Sequence, residues 1–266
     1  MILVAVTKTR SVEEMTAAIV AGVTDVGENK VQEAETKKPV LEAPAKWHLI
    51  GHLQKNKAKK AVELFDVIHT VDSAAIGQRI DRFAAQQDKV QPVLVQVDLA
   101  GEETKHGLPE KDLVPTLETL SECSNLRVDG LMVLPPYLDD PEEVRPYFQR
   151  LRKLADDARE RELVGNELSM GMSHDFEVAI EEGSTIVRVG TAIFGPRNKL
   201  SFPVPPLPLV GEGPERSEGG EGATAQLGGA PVRASLGMRH PPHPRPSPPE
   251  GERESWCDEL CSSSFS

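Results

Sequence analysis

Ile2-Leu3-Val4-Ala5-Val6-Thr7-Lys8 is the stretch whose reading decides the fold. A short, unbroken apolar run with β-branched residues, cut off by a charge, describes a strand buried on both faces, as in parallel sheets covered by helices. Lys8 stands where that strand ends. A lysine there is either an ordinary rim charge or an amine held at a strand mouth for chemistry, and the strand alone favours the first.

Outward from this stretch the pattern repeats. Apolar, β-rich runs occur at Ile2–Thr7, Asp25–Gly27, Trp47–Gly51, Val67–Val71, Pro92–Leu99, Val128–Leu134, Glu167–Gly171 and Ile186–Phe194. Helical patterns lie between most of them. Ser11 and Glu14 form a capping box ahead of Val12, Met15 and Ile19. Ser73 is expected to cap Ala74–Gln87, Asp140 with Pro141 opens Glu142–Arg161, and Ser173 is expected to cap Phe176–Glu182. Eight strands with seven intervening helical segments predict a single (β/α)8 TIM-like barrel over residues 1–200. An open doubly wound sheet is the competing architecture, but no G-x-G-x-x-G follows the first strand.

A barrel of this kind gathers its chemistry at the C-terminal ends of its strands. Those ends are Lys8, the Gly27-Glu28-Asn29 turn, His48 to Gly51, Asp98, Met132 to Pro135, Ser169 to Ser173, and Arg188 to Thr191. Lys8 is the one plausible covalent nucleophile among them. Ser169-Met170-Gly171-Met172-Ser173 and Gly190-Thr191 follow the seventh and eighth strands, where barrels commonly hold phosphate on hydroxyls and backbone N–H groups. Arg188 alternates with Ile186 and Gly190, so it points into the barrel mouth and needs an acceptor. A structural ion pair and a donor to a ligand's ring nitrogen are equally good readings. Asp98 and Glu28 are either mouth hydrogen-bonders or core polar partners. His48 and His52 lack the helical face that a metal pair requires, so no metal is expected. Lys55, Lys57, Lys59 and Lys60 read as a solvated helix face.

A net charge of −12 and a pI near 5.1 argue against a nucleic-acid partner. Cys123, Cys257 and Cys261 make neither a disulfide framework nor a zinc set. No apolar run reaches the length of a membrane span, and Lys8 interrupts the apolar start too early for a signal-peptide core. A cytoplasmic protein is expected. Beyond residue 200 the composition changes: residues 201–266 hold 12 of the 22 prolines and 9 of the 21 glycines. Such a segment has little to bury and reads as a disordered tail.

Four ordered motifs now carry a resemblance. Val4-Ala5-Val6-Thr7-Lys8, Gly27-Glu28-Asn29-Lys30-Val31-Gln32-Glu33, Trp47-His48-Leu49-Ile50-Gly51-His52-Leu53-Gln54-Lys55-Asn56-Lys57, and Leu168-Ser169-Met170-Gly171-Met172-Ser173 with Gly183 to Gly195 resemble the pyridoxal phosphate homeostasis protein family. The resemblance implies a barrel akin to the N-terminal domain of alanine racemases that binds pyridoxal 5′-phosphate (PLP). It puts the Schiff-base lysine on Lys8, phosphate contacts on Ser169, Gly190 and Thr191, and the arginine facing the pyridine nitrogen on Arg188. Asn29 and His48 match motif positions near the cofactor. It implies a non-catalytic PLP carrier acting in intracellular vitamin B6 homeostasis, monomeric or a weak dimer, with PLP-dependent apo-enzymes as partners. Two features depart from the family: its N-terminal helix ahead of the first strand is not found here, and the Pro/Gly-rich segment is foreign to it. The alternative is a small PLP-dependent, racemase-like enzyme. Against that stand an arginine, which leaves the ring nitrogen unprotonated and weakens the electron sink, and the scarcity of acid/base groups. Tyr137 and Tyr147 are the only tyrosines, and neither lies in the tail.

Overall fold

In the computed structural model, which describes residues 1–101 and 106–196, the first strand β1 (Ile2–Val6) stands between two parallel neighbours. One is β2 (Asp25–Glu28) and the other is β9 (Ile186–Val189). Continuing from β2 come β3 (Lys46–Leu49), β4 (Val67–Val71) and β5 (Gln91–Asp98); from β9 come β8 (Glu167–Met172) and β7 (Leu126–Val133). The β4–β5 and β5–β7 pairings close the ring, so eight parallel strands form the expected barrel. A two-residue strand, β6 (Leu108–Pro109), adds to the end of β5 outside the ring. It is too short to leave a periodic signal in the sequence.

Helices α1 (Val12–Val20), α2 (Val31–Lys37), α3 (Ala58–Leu64), α4 (Ala74–Ala85), α5 (Leu113–Ser121), α6 (Arg145–Arg159) and α7 (Phe176–Glu181) return the chain between strands. The Ser11–Glu14 capping box forms in both directions, and the Asp140 carboxylate accepts the Glu142 N–H with Pro141 in the first turn. Ser73 precedes α4 but turns its hydroxyl to Asp72. Ser173 does not cap α7 either. Asp175 occupies that position, and the Ser173 hydroxyl serves the β9 end instead. The run Ile186–Phe194, read as one strand, is two elements: β9 stops at Val189, and Thr191–Phe194 forms a helical turn, α8, on the Gly190 carbonyl.

Side-chain alternation sorts the strands into an outer and an inner layer. Trp47, Leu49, Ile68, Leu168 and Met170 join the large core between barrel and helices, with Phe65, Phe148 and Leu117 among its fully buried members. Inside the barrel Val4, Leu94, Met132 and Ile186 make a small apolar layer. Burial of each such side chain stabilises the fold by roughly 1.5–3 kcal/mol. Beside this layer the polar side chains of His48, His69, Ser169 and Arg188 also lie inside the barrel. They form the floor of the site described next. The segment 201–266, with its expected disorder, lies outside the described residues.

Candidate functional site

The strand ends surround a cavity of about 520 Å³, walled in part by Lys8, Arg10, Asn29, Tyr137, Ser173, Asp175, Arg188, Gly190 and Thr191. Five of the seven residues singled out in the sequence therefore meet there: Lys8, Asn29, Arg188, Gly190 and Thr191. His48 and Ser169 do not reach it. Both are fully buried beneath it, for a reason given below.

Lys8 is aimed by a tight turn. Thr9 follows it at φ +63, a conformation costly for a β-branched residue and held here by external bonds. The Thr9 N–H donates to Glu33 Oε2 at 2.8 Å. Lys37 donates to the Thr7 carbonyl at 2.9 Å, to Glu28 Oε1 at 2.8 Å and to Glu33 Oε2 at 3.1 Å. Thr7 Oγ1 also donates to Glu28 Oε1, at 2.8 Å. Glu28 is wholly buried, and its Oε2 has no hydrogen-bond partner. Desolvation lifts its carboxyl above the ordinary range, with Lys37 and Thr7 pulling the other way. Glu28 is thus a core polar partner that supports the Lys8 turn. Asp98 is a turn residue as well, its Oδ1 accepting the N–H groups of Ala100 and Gly101.

Asn29 reaches the wall because Gly51 lets the β2 and β3 ends approach. A Cβ on Gly51 would lie 2.2 Å from the Asn29 carbonyl oxygen. Across the cavity, Gly171 at φ +96 swings the end of β8 so that Met172, Ser173 and Asp175 line the wall. Ser173 Oγ accepts the N–H of Gly190 at 3.0 Å and of Ala192 at 3.4 Å. With its lone pairs so used, the hydroxyl hydrogen is left to donate. Arg10 ties this side to the Lys8 turn: its guanidinium donates to the Gly195 carbonyl at 2.6 Å and to Glu14 at 3.1 Å. Tyr137, 72% exposed, stacks on His174 at the mouth. Sequence reading missed Arg10, Asp175 and Tyr137 as wall residues. Each comes from a loop or turn whose path carries no periodic signal.

Arg188 is 3% exposed, and among the described residues no carboxylate forms an ion pair with it. Its Nη1 donates to Ser169 Oγ at 2.5 Å and its Nη2 to the Val133 carbonyl at 2.9 Å. Burial pushes its pKa down to about 10, while the charge of Asp175 opposes the fall. Beneath it, Ser169 Oγ meets His69 Nδ1 at 3.0 Å, His69 Nε2 meets His48 Nδ1 at 2.8 Å, and His48 Nε2 meets Asp25 Oδ1 at 2.9 Å. His69 on β4 and Ser169 on β8 are not neighbours in the sheet, so this contact crosses the barrel interior. Ser169 is therefore engaged by Arg188 and His69, and Ser173, not Ser169, is the serine at the cavity. His48 and His52 are held apart in function too, since His52 pairs with Asp72 at 3.1 Å and stacks on His106.

A strand-end cavity in a closed parallel barrel, with an amine and a buried guanidinium on its walls, defines a class. Residues 2–198 match the family model described as "Alanine racemase, N-terminal domain". The alanine racemase of Clostridium difficile, at 14% identity over 74% of this chain and 56% of its own, shares the fold with a TM-score of 0.62. Relatives of much higher identity are named pyridoxal phosphate homeostasis protein. That of Aquifex aeolicus is 48% identical over 64% of this chain and 76% of its own, and that of Synechocystis is 40% identical over 73% and 91%. The structure of PipY from Synechococcus elongatus with PLP bound is 39% identical, covers 73% of this chain and 92% of that one, and superposes with a TM-score of 0.69. The chain belongs to the pyridoxal phosphate homeostasis protein family.

Proposed function

We propose that this protein binds PLP as a Schiff base on Lys8 and serves intracellular PLP homeostasis as a carrier without a catalytic cycle of its own. The observation that carries the reading is the convergence of Lys8, Arg188, Ser173 and Thr191 on one cavity. Its volume of about 520 Å³ falls in the range of roughly 300–1,000 Å³ typical of small-molecule sites. The donor set suits the ligand. The Lys8 amine is the nucleophile for an aldehyde, and the hydroxyls of Ser173 and Thr191 suit a phosphate. Arg188 has donors only, so it fits an unprotonated ring nitrogen. Bound PLP supplies an electrophilic aldehyde conjugated to a pyridine ring, and a ring left unprotonated is a weak electron sink.

The same polar set supports holding over reacting. Glu28 is spent on Thr7 and Lys37, and Asp175 accepts the Met172 N–H at 2.5 Å. Tyr137 with His174 favours the racemase-like alternative, because it brings a phenol to the mouth. Its high exposure argues for a solvated rim role. Cytoplasmic location and delivery of PLP to apo-enzymes belong to the same proposal.

The test is borohydride reduction of PLP-loaded protein followed by peptide mass analysis, with an amino-acid racemisation and decarboxylation panel beside it. The expected result is a phosphopyridoxyl adduct on the peptide holding Lys8 and no turnover at enzyme rates. Adduct elsewhere overturns the site, and rapid racemisation overturns the carrier.

A further inference from the structure

The chain of contacts under the cavity has fixed ends. Arg188 can only donate hydrogen bonds, and an ionised carboxylate can only accept them. Asp25 is held ionised, its pKa lowered first by the hydrogen bond from His48 and further by that from Thr24. Between these ends stand one hydroxyl and two imidazoles, and a single arrangement with neutral rings satisfies every contact. Ser169 accepts from Arg188 Nη1 and donates to His69 Nδ1; His69 Nε2–H donates to His48 Nδ1; His48 Nε2–H donates to Asp25 Oδ1. Reversing the middle bond would leave a bare His48 Nε2 facing the carboxylate, or require a second proton on that ring.

We propose that Asp25, His48, His69 and Ser169 form a one-way hydrogen-bond relay across the barrel, whose role is to hold Arg188 as a fixed, charged donor at the cavity wall. These four are positioning residues; Arg188 is the group that meets the ligand. The relay explains how a guanidinium survives burial with no carboxylate among the described residues paired to it. Each donated hydrogen makes the donor's own oxygen or nitrogen a better acceptor, so the negative charge of Asp25 is felt at Ser169. His69 is kept neutral by burial, with the positive charges of Arg188 and Lys46 acting in the same sense. Lys46 also faces Asp25, and Asp175 faces Arg188 from the β8 side. The ligand-directed part of the inference rests on the PLP reading above. The relay itself does not.

Imidazole nitrogen NMR on the full chain without PLP reads the relay directly. Both His48 and His69 are expected to carry their proton on Nε2 at neutral pH, and Asp25→Asn is expected to mix the His48 tautomers, because an amide no longer dictates direction. A proton on Nδ1 of His69 in the parent, a doubly protonated ring at neutral pH, or unchanged tautomers in Asp25→Asn overturns the relay. PLP affinity then reads its consequence. His69→Gln keeps an acceptor for Ser169 and a donor for His48, so it should bind as the parent does. His69→Leu breaks the chain and should weaken binding roughly tenfold, about the value of one buried hydrogen bond. Equal losses in both variants overturn the directional role. If His69→Leu does not fold, Asp25→Asn takes its place in the affinity comparison. Absence of PLP binding in the parent, with the tautomers as stated, would sink the functional reading and leave the relay standing.

Discussion

Two polar clusters support the walls of the cavity, and they bury charge in opposite ways. Beneath Lys8, Glu28, Lys37 and Glu33 touch one another directly, with Lys37 at 2.8 and 3.1 Å from the two carboxylates. Beneath Arg188, the guanidinium and Asp25 are kept apart by Ser169, His69 and His48. The first cluster stands outside the ring, where β2 meets α2, and it fixes a backbone turn. The second fills the ring and fixes a side chain. Contact pairing suits a rim where chain geometry must be clamped. A relay suits a barrel interior in which a carboxylate beside the ligand would stabilise a proton on its nitrogen. The difference teaches that the site's amine and its guanidinium are supported for different purposes, one to be aimed and one to stay charged.

The largest expected effect removes the group that the first cluster aims. Lys8→Ala should abolish the borohydride-fixed PLP mass entirely while leaving the melting temperature near that of the parent. A surviving adduct would move the chemistry to another lysine, such as Lys57 or Lys105, the latter outside the described residues. Next comes the clamp itself. Lys37→Met leaves Glu28 buried without its cation, and breaking such a pair costs about 3 kcal/mol. Urea denaturation should show that loss, and PLP uptake should slow as the Thr9 turn relaxes. An unchanged midpoint would mean that Glu28 is protonated and the clamp is not ionic.

On the other side of the cavity, Thr191→Val should weaken PLP binding by about 1.5–3 kcal/mol, the worth of a hydrogen bond to an ionised partner. The absorbance of the bound fraction should be unchanged, since the aldehyde end is untouched. Parental affinity in that variant would place the phosphate elsewhere.

A subtler contrast uses pH. Asp25 has a lowered pKa, so its contribution is present above the ordinary carboxylate value and is lost as pH falls through the lowered one. Glu28 has a raised pKa; the folded state binds the extra proton, so stability falls as pH rises from the ordinary value through the raised one. Asp25→Asn should therefore cost more at pH 7 than in acid, and Glu28→Gln more in acid than at pH 7, as read from melting temperatures across that range. Slopes of the same sign would erase the distinction between the clusters. Smallest of all should be deletion of residues 201–266, a segment with few apolar groups to bury; PLP binding and melting temperature should hardly move. A large fall in either would show that this segment supports the barrel.

The sequence by itself determined the barrel and one side of the site. Strand periodicity is local, so eight short apolar runs could be counted, and a lysine ending the first of them had to stand at the mouth once the ring closed. The hydroxyls and glycines after β8 and β9 were legible for the same reason. What only the tertiary structure decided is which polar residues share a space. His48 and Ser169 carry motif positions that suggest the cofactor, yet they sit on inner faces one layer down, where His69, unnoticed in the strand Val67–Val71, joins them. Ser169 and His69 are 100 residues apart in the chain. Their meeting depends on the closure and register of strands that are not neighbours, and no local pattern encodes a distance across a barrel.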